Sequence, residues 1–138
     1  MTPHMLAQRL ERLANSAEEL CEELAERSHK LIQDGFRMET DPYGMPWAPR
    51  KDQKYKGGKR TGHKILQDTL QFKSGFVTAG VNKSGFTITN DTPYGGFHQH
   101  GTRYMAQRSV VPRTGEGLGT WQEPLAEVAR AFIRKKLL

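Results

Sequence analysis

His98 and His100 form an H-x-H pair inside the block Asn90–Gly101, NDTPYGGFHQHG. On a β-strand the two imidazoles would share a face and could hold a metal ion between them. A metal centre needs more donors than that. No cysteine or carboxylate pair lies nearby, and only the distant His63 and Asp91 are left to complete a set. Nor can a Ser–His–acid arrangement be assembled with any specificity from the order of the residues. We therefore expect no metal, no cofactor, no catalytic residue and no enzyme, with the histidines fixing a turn by hydrogen bonding.

Two charged stretches are the other candidates. Glu18, Glu19, Glu22, Glu23 and Glu26 make an acidic run. Paired carboxylates do acid–base chemistry only where burial or proximity separates their pKa values. These alternate with an apolar seam and are expected to form a solvated or subunit-facing surface. The opposite charge is concentrated in Arg50–Lys64, where Arg50, Lys51, Lys54, Lys56, Lys59, Arg60 and Lys64 face the single acid Asp52. The whole net charge of +6 sits there, because the rest of the chain carries fourteen basic and fourteen acidic residues. This describes a neutral domain with one basic loop, not a uniformly basic nucleic-acid binder. Such a loop can meet phosphate, with Tyr55 interleaving between bases, or an acidic protein surface, including the Glu18–Glu26 face of a neighbouring copy. Gly57-Gly58-Lys59-Arg60-Thr61 lacks the G-x-x-x-x-G-K-[ST] spacing and follows no apolar strand, so it is not read as a phosphate-binding loop.

These stretches need elements to position them. Thr2-Pro3 reads as an N-cap followed by proline at the first helical position. Leu6, Leu10, Leu13, Ala17, Leu20 and Leu24, with Leu31 on the same seam, predict a long amphipathic helix over residues 1–37. Unbroken, it would be about 50 Å long, more than a domain this size needs. It must bend or offer part of its stripe to another subunit. Gly35 is the expected C-cap, and Cys21 is expected to be a small buried hydrophobe.

Residues 38–64 form a Pro-rich connector and the basic loop. The prolines and glycine of Asp41–Pro49 exclude regular helix or central strand. Trp47 there is either a stacking surface for a nucleotide or, in preference, a loop anchor. Residues 65–119 read as the β-sheet region. Phe72–Val81 and Phe86–Asn90 flank Asn82-Lys83-Ser84-Gly85 as a hairpin, with Val77, Ala79 and Val81 on one face. A further strand at Ser109–Pro112 would bring the sheet to three or four. Thr120-x-x-Glu123 reads as a capping box opening a helix over 120–138, with Trp121, Leu125, Val128, Ala129 and Phe132 facing inward. The expected fold class is α+β: a long N-terminal helix and a C-terminal helix packed on a small antiparallel sheet with a central hairpin, in one domain over 1–138. No apolar run approaches the roughly 20 residues of a membrane helix. The start of the chain lacks the apolar core of a signal peptide, so synthesis in the cytoplasm and no membrane partner are expected. The single cysteine excludes an intrachain disulfide framework.

The order of the pieces carries a resemblance. A long helix leads to Asp41-Pro42-Tyr43-Gly44-Met45-Pro46-Trp47, then a basic spacer, Ile65–Leu70 (ILQDTL) and the hairpin. Pro93–Gly101 (PYGGFHQHG) and Val111-Pro112-Arg113 follow before the last helix. From about Gln33 onward this resembles the phage virion morphogenesis family, the tail-completion proteins of Mu-like and related contractile-tailed phages. The chain departs from the usual T-G-x-L turn at Thr69-Leu70-Gln71-Phe72, and keeps only the Pro-Arg core of P-A-R-P-F at Val111–Arg113. On this resemblance Trp47, Tyr94, His98, Gly101 and Pro112 are structural motif residues.

The resemblance implies a structural protein of the virion, made in the host cytoplasm. It would act at the head–tail junction or tail end as a tail-completion, terminator or head–tail joining component. Its partners would be its own copies in a homo-oligomeric ring, expected to be a hexamer, and tail-tube or neck and connector proteins. The basic loop would reach a neighbour, the tail tube or DNA in the channel. Three other readings compete. A nucleic-acid-binding module using residues 50–64 predicts binding that falls steeply with salt. A metal enzyme using His63, His98 and His100 predicts stoichiometric metal. A tail-assembly chaperone predicts absence from the finished particle.

Overall fold

The computed structural model describes residues 1–49, 66, 71–93, 95–103 and 105–137. The basic stretch Arg50–Lys64, with His63, and the motif residue Tyr94 lie outside the described residues. So do all of Ile65–Leu70 but Leu66.

The first helix, α1, spans Pro3–Asn15. Thr2 takes an extended conformation and its hydroxyl accepts from the Met5 amide at 3.1 Å, with Pro3 opening the helix, as the sequence predicts. The long helix does not continue unbroken. At Ser16 the backbone leaves helical geometry (φ −100°, ψ 10°), and the Ser16 hydroxyl donates back to the Arg12 carbonyl at 2.8 Å. A second helix, α2, then runs over Ala17–Met38, about 33 Å at 1.5 Å per residue. It also passes through Gly35, the expected C-cap. Glu39 takes the left-handed conformation instead (φ 54°), while Thr40 donates its amide to the Gly35 carbonyl at 3.1 Å.

The buried line of α2 is Cys21, Ala25, Ser28, Ile32 and Phe36. Leu20, Leu24 and Leu31, the leucines of the predicted seam, are half-buried flanks of it. Ser28 is tolerated inside because its hydroxyl donates to the Leu24 carbonyl at 2.8 Å. Cys21 is buried, as expected of a small hydrophobe.

A single helical turn, α3 (Gln71–Ser74), precedes β1 (Phe76–Asn82) and β2 (Gly85–Asn90), which pair antiparallel. Phe72 therefore belongs to a helical turn and not to the strand. The register places Asn82 opposite Gly85, and the Asn82 side chain accepts from the Ser84 amide at 2.8 Å within the turn. A bulge at Ala79, between Thr78 and Gly80, breaks the alternation, so Val77, Ala79 and Val81 do not line one buried face. Val77 and Ala79 are exposed and Val81 is half-buried. The hairpin is the whole sheet among the described residues: two strands, not three or four. Ser109–Pro112 is not a strand.

Another short helix, α4, covers Gly95–His100. The C-terminal helix α5 (Gln122–Leu137) follows a 3-10 turn at Gly119–Trp121. The predicted capping box does not form: the Thr120 hydroxyl donates to the Pro42 carbonyl at 2.7 Å and thus joins a distant loop. The inward face of α5 is as predicted, with Trp121 and Phe132 buried and Leu125, Val128 and Ala129 half-buried. One core unites these elements: Ile32, Phe36, Trp47, Phe72, Val110 and Trp121, with Phe76 and Ile88 of the hairpin packed against it. Phe36 is its centre, meeting Trp47 and Phe72 edge-on at 5.5 and 5.6 Å. The fold is α+β, with helices at both ends of the chain around a small antiparallel sheet.

Candidate functional site

Among the described residues, the side chains flagged for chemistry do not come together. His98 and His100 lie on α4, where residues two apart point in different directions. His98 is half-buried with its ring 5.3 Å from that of Phe72, and its carbonyl accepts from the Arg108 amide at 2.8 Å. Burial, and then the positive charge of Arg108, hold its pKa below the ordinary imidazole value. His100 is exposed. Among the described residues no three His, Cys, Asp or Glu side chains gather into a metal-binding group. No described helix is long and apolar enough to cross a membrane.

Polar side chains instead build a knot that ties three loops together. Asp41 starts it. Its carboxylate accepts from the Tyr43 and Met45 amides, both at 2.9 Å, and Gly44 takes φ 84° to let the chain reverse. This is why the D-P-x-G spacing works: Asp supplies the acceptor, Pro presets φ, and Gly takes the left-handed position. The reversal brings Trp47 inward, where its indole N–H donates to the Ser109 carbonyl at 2.9 Å. Tyr43 reaches the opposite way. Its hydroxyl donates to the Gly117 carbonyl and accepts from the Arg113 amide, both at 2.9 Å, while the Arg113 guanidinium lies 4.4 Å over its ring. Arg113 also pairs with Glu116 at 2.6 Å and reaches Asp41 at 3.9 Å.

The third loop is held by Gln99. Its side-chain oxygen accepts from the Val110 and Val111 amides at 2.8 and 3.2 Å, and its amide nitrogen donates to the Val111 carbonyl at 2.7 Å. Gln99 thus does for residues 110–111 what a neighbouring strand would have done, which explains why a β-like stretch is ordered without a sheet. Arg108 donates to the Ala48 and Pro49 carbonyls, both at 3.0 Å, and pins the end of the connector. Gly101 ends α4 at φ 74°, with the Gln107 backbone 3.0 Å from where a Cβ would stand. Pro112 is half-buried beside this knot.

Trp47 and Gly101 thus sit in the contacts that hold these loops together, and His98 and Pro112 are half-buried next to them. Asp41, Tyr43, Gln99 and Arg113 stand inside the motifs Asp41–Trp47, Pro93–Gly101 and Val111–Arg113, with Ser109 outside them, but nothing in those motifs joins the five into one unit. Their shared work is tertiary, and no spacing rule links residue 43 to residue 113.

Two further surfaces among the described residues are apolar and acidic. No residue of α1 is buried, and Met5, Leu6 and Leu10 are 43%, 45% and 50% exposed although the helix lies against α5. All five glutamates of the acidic run are exposed. Glu19 pairs with Lys136 of α5 at 3.1 Å and Glu26 with Lys30 at 3.8 Å, while Glu18, Glu22 and Glu23 make no ion pair with a described residue.

The polar groups of the knot are thus committed to the chain's own loops, while the Met5, Leu6 and Leu10 stripe of α1 stays half-exposed. The chain belongs to the phage virion morphogenesis family, whose model matches residues 4–124. It is a bacteriophage protein of virion assembly, and the resemblance carried by Asp41–Trp47 and Pro93–Gly101 is borne out. No curated protein and no solved structure matches the chain.

Proposed function

We propose that this protein is a structural, non-enzymatic component that completes the tail at its head-proximal end, as a ring of identical subunits at the tail terminus or head–tail joint. The observation that carries this reading is the half-exposed Met5, Leu6 and Leu10 stripe on α1 in a member of a virion-assembly family. An amphipathic helix that buries no residue within its own chain has surface left for a partner. A ring requires one patch on each copy to fit a different patch on the next. The acidic face of α2 and the basic segment Arg50–Lys64 offer opposite charge for such a contact, or for the tail tube, neck proteins or DNA path. The glutamates would act there as subunit contacts.

Cryo-electron microscopy of purified particles tests the proposal. The expected result is a ring of this chain at the head–tail junction. Its absence from otherwise complete particles, checked by mass spectrometry, would refute it in favour of an assembly chaperone. A salt-steep affinity for DNA in the free protein, lost on neutralising Lys54, Lys56, Lys59 and Arg60 with tail joining intact, would instead favour the nucleic-acid reading.

A further inference from the structure

Among the described residues, nothing pairs with either outer edge of the hairpin. Each strand bonds its partner on one side, and among the described residues no backbone hydrogen bond reaches β1 or β2 from outside the hairpin. Helix α2 supports one face, with His29 Nε2 2.8 Å from the Thr78 hydroxyl, and Phe76 and Ile88 turned to the core. No described residue covers the edges themselves with a backbone hydrogen bond. Natural edge strands are normally blunted by charged residues or proline, because their free N–H and C=O groups recruit other strands. Neither FVTAGVN nor GFTITN contains a charge or a proline, and the one irregularity is the bulge at Ala79.

We propose that copies of this chain join through these edges, the outer edge of β1 in one copy pairing with the outer edge of β2 in the next. This rests on the ring reading above and names its contact. A row of backbone donors and acceptors at strand spacing is matched by another extended strand. A second copy supplies one that fits: the two edges are seven and six residues long, and neither brings a like charge against the other. Because they are different surfaces, the contact is heterologous and can close into a ring, whereas β1 against β1 would stop at a dimer. Six paired residues make a contact line only about 20 Å long, well short of the roughly 800 Å² per partner of a standard interface. The pairing therefore holds where each copy makes it twice in a closed ring, with other surface such as the α1 stripe adding to it.

The test uses the full chain with Val77→Cys and, separately, Thr87→Cys, both at exposed positions, while the native Cys21 stays buried. The two proteins are mixed, concentrated and oxidised, and Ala79→Cys replaces Val77→Cys in a second mixture to sample another register. Disulfide-linked dimers are expected from a mixture at roughly ten times the yield of any variant alone. Amides within 76–90 should exchange roughly tenfold more slowly in the assembled protein than in the monomer, a readout that assumes no register. Efficient linking of V77C with itself would overturn the head-to-tail arrangement. Oligomers by native mass spectrometry with neither cross-link nor protection would overturn the edge contact and leave the ring intact. A monomer without cross-links, both alone at high concentration and with other tail proteins added, would overturn both. Protection that appears only when other tail proteins are added, without cross-links between copies, would assign the edges to a different strand and overturn the proposal.

Discussion

Replacing Trp47 with Phe separates the two roles that a tryptophan in a Pro-rich loop can have. Trp47 is 5% exposed, meets Phe36 edge-on, and donates its indole N–H to the carbonyl of Ser109, a residue only 1% exposed. Phe keeps an aromatic ring but removes the donor. The Ser109 carbonyl then loses its partner away from water, at a cost of about 1–3 kcal/mol. The smaller ring leaves space beside Phe36, costing about another 1 kcal/mol. The expected destabilisation is about 2–4 kcal/mol, a large part of the 5–15 kcal/mol typical of a domain, and a fall in Tm of roughly 6–15 °C. Trp47→Ala should cost more, because it also removes the edge-on contact with Phe36. Urea unfolding followed by circular dichroism measures both variants, with Trp121 as the remaining fluorescent reporter in each. If Trp47→Phe unfolds within about 0.5 kcal/mol of the parent, the anchoring argument is wrong. Lost nucleic-acid binding with stability unchanged would restore the stacking role.

Gly119 and Gly117 form a matched pair, both at positive φ (58° and 75°). A Cβ at Gly119 would run into the Pro42 carbonyl oxygen and the Tyr43 ring, while one at Gly117 meets nothing. Gly119→Ala should cost more than about 2 kcal/mol and Gly117→Ala only about 1 kcal/mol, the left-handed penalty by itself; equal losses in thermal unfolding would contradict this. His98 predicts an acid weakness. Its folded pKa is lowered by burial and then by Arg108, so between the unfolded value of about 6.5 and the lower folded value the unfolded chain binds more protons. Stability is full above that window and falls as pH drops through it. His98→Gln should flatten the dependence of Tm on pH there, and an unchanged slope would exclude His98 as its source. Leu6→Ser with Leu10→Ser alters two half-exposed side chains, so monomer stability should fall by less than about 2 kcal/mol while, on the ring reading proposed above, the yield of infectious particles drops steeply. Wild-type particle yield from this double variant would remove the α1 stripe from assembly.

What could be read directly from the residues was local. Thr2-Pro3 starts a helix because a hydroxyl and a ring act on their own turn. The hairpin follows from alternating Phe, Thr and Ile around a Lys-Ser turn, and Asp41-Pro42-Tyr43-Gly44 reverses because each residue fills one turn position. The inward face of α5 and the burial of Cys21 follow from helical spacing. The family itself was legible from the order of these short motifs. Packing decided the rest. Ser16 breaks a seam of apolar residues that would run on unbroken, and α2 buries the line beside its leucines because Phe36 and Ile32 meet the aromatic cluster. Thr120 has the pattern of a cap but satisfies Pro42 instead. Ser109–Pro112 has the composition of a strand, yet the Gln99 side chain takes the place of its neighbour. His98 and His100 would share a face on a strand and do not on a helix. Which segments turn, coil or extend follows from the residues alone, since those preferences act within a few residues. Which polar groups answer one another across the chain is a matter of packing, because a buried donor such as the Trp47 indole takes the acceptor that folding brings within 3 Å, however distant in sequence.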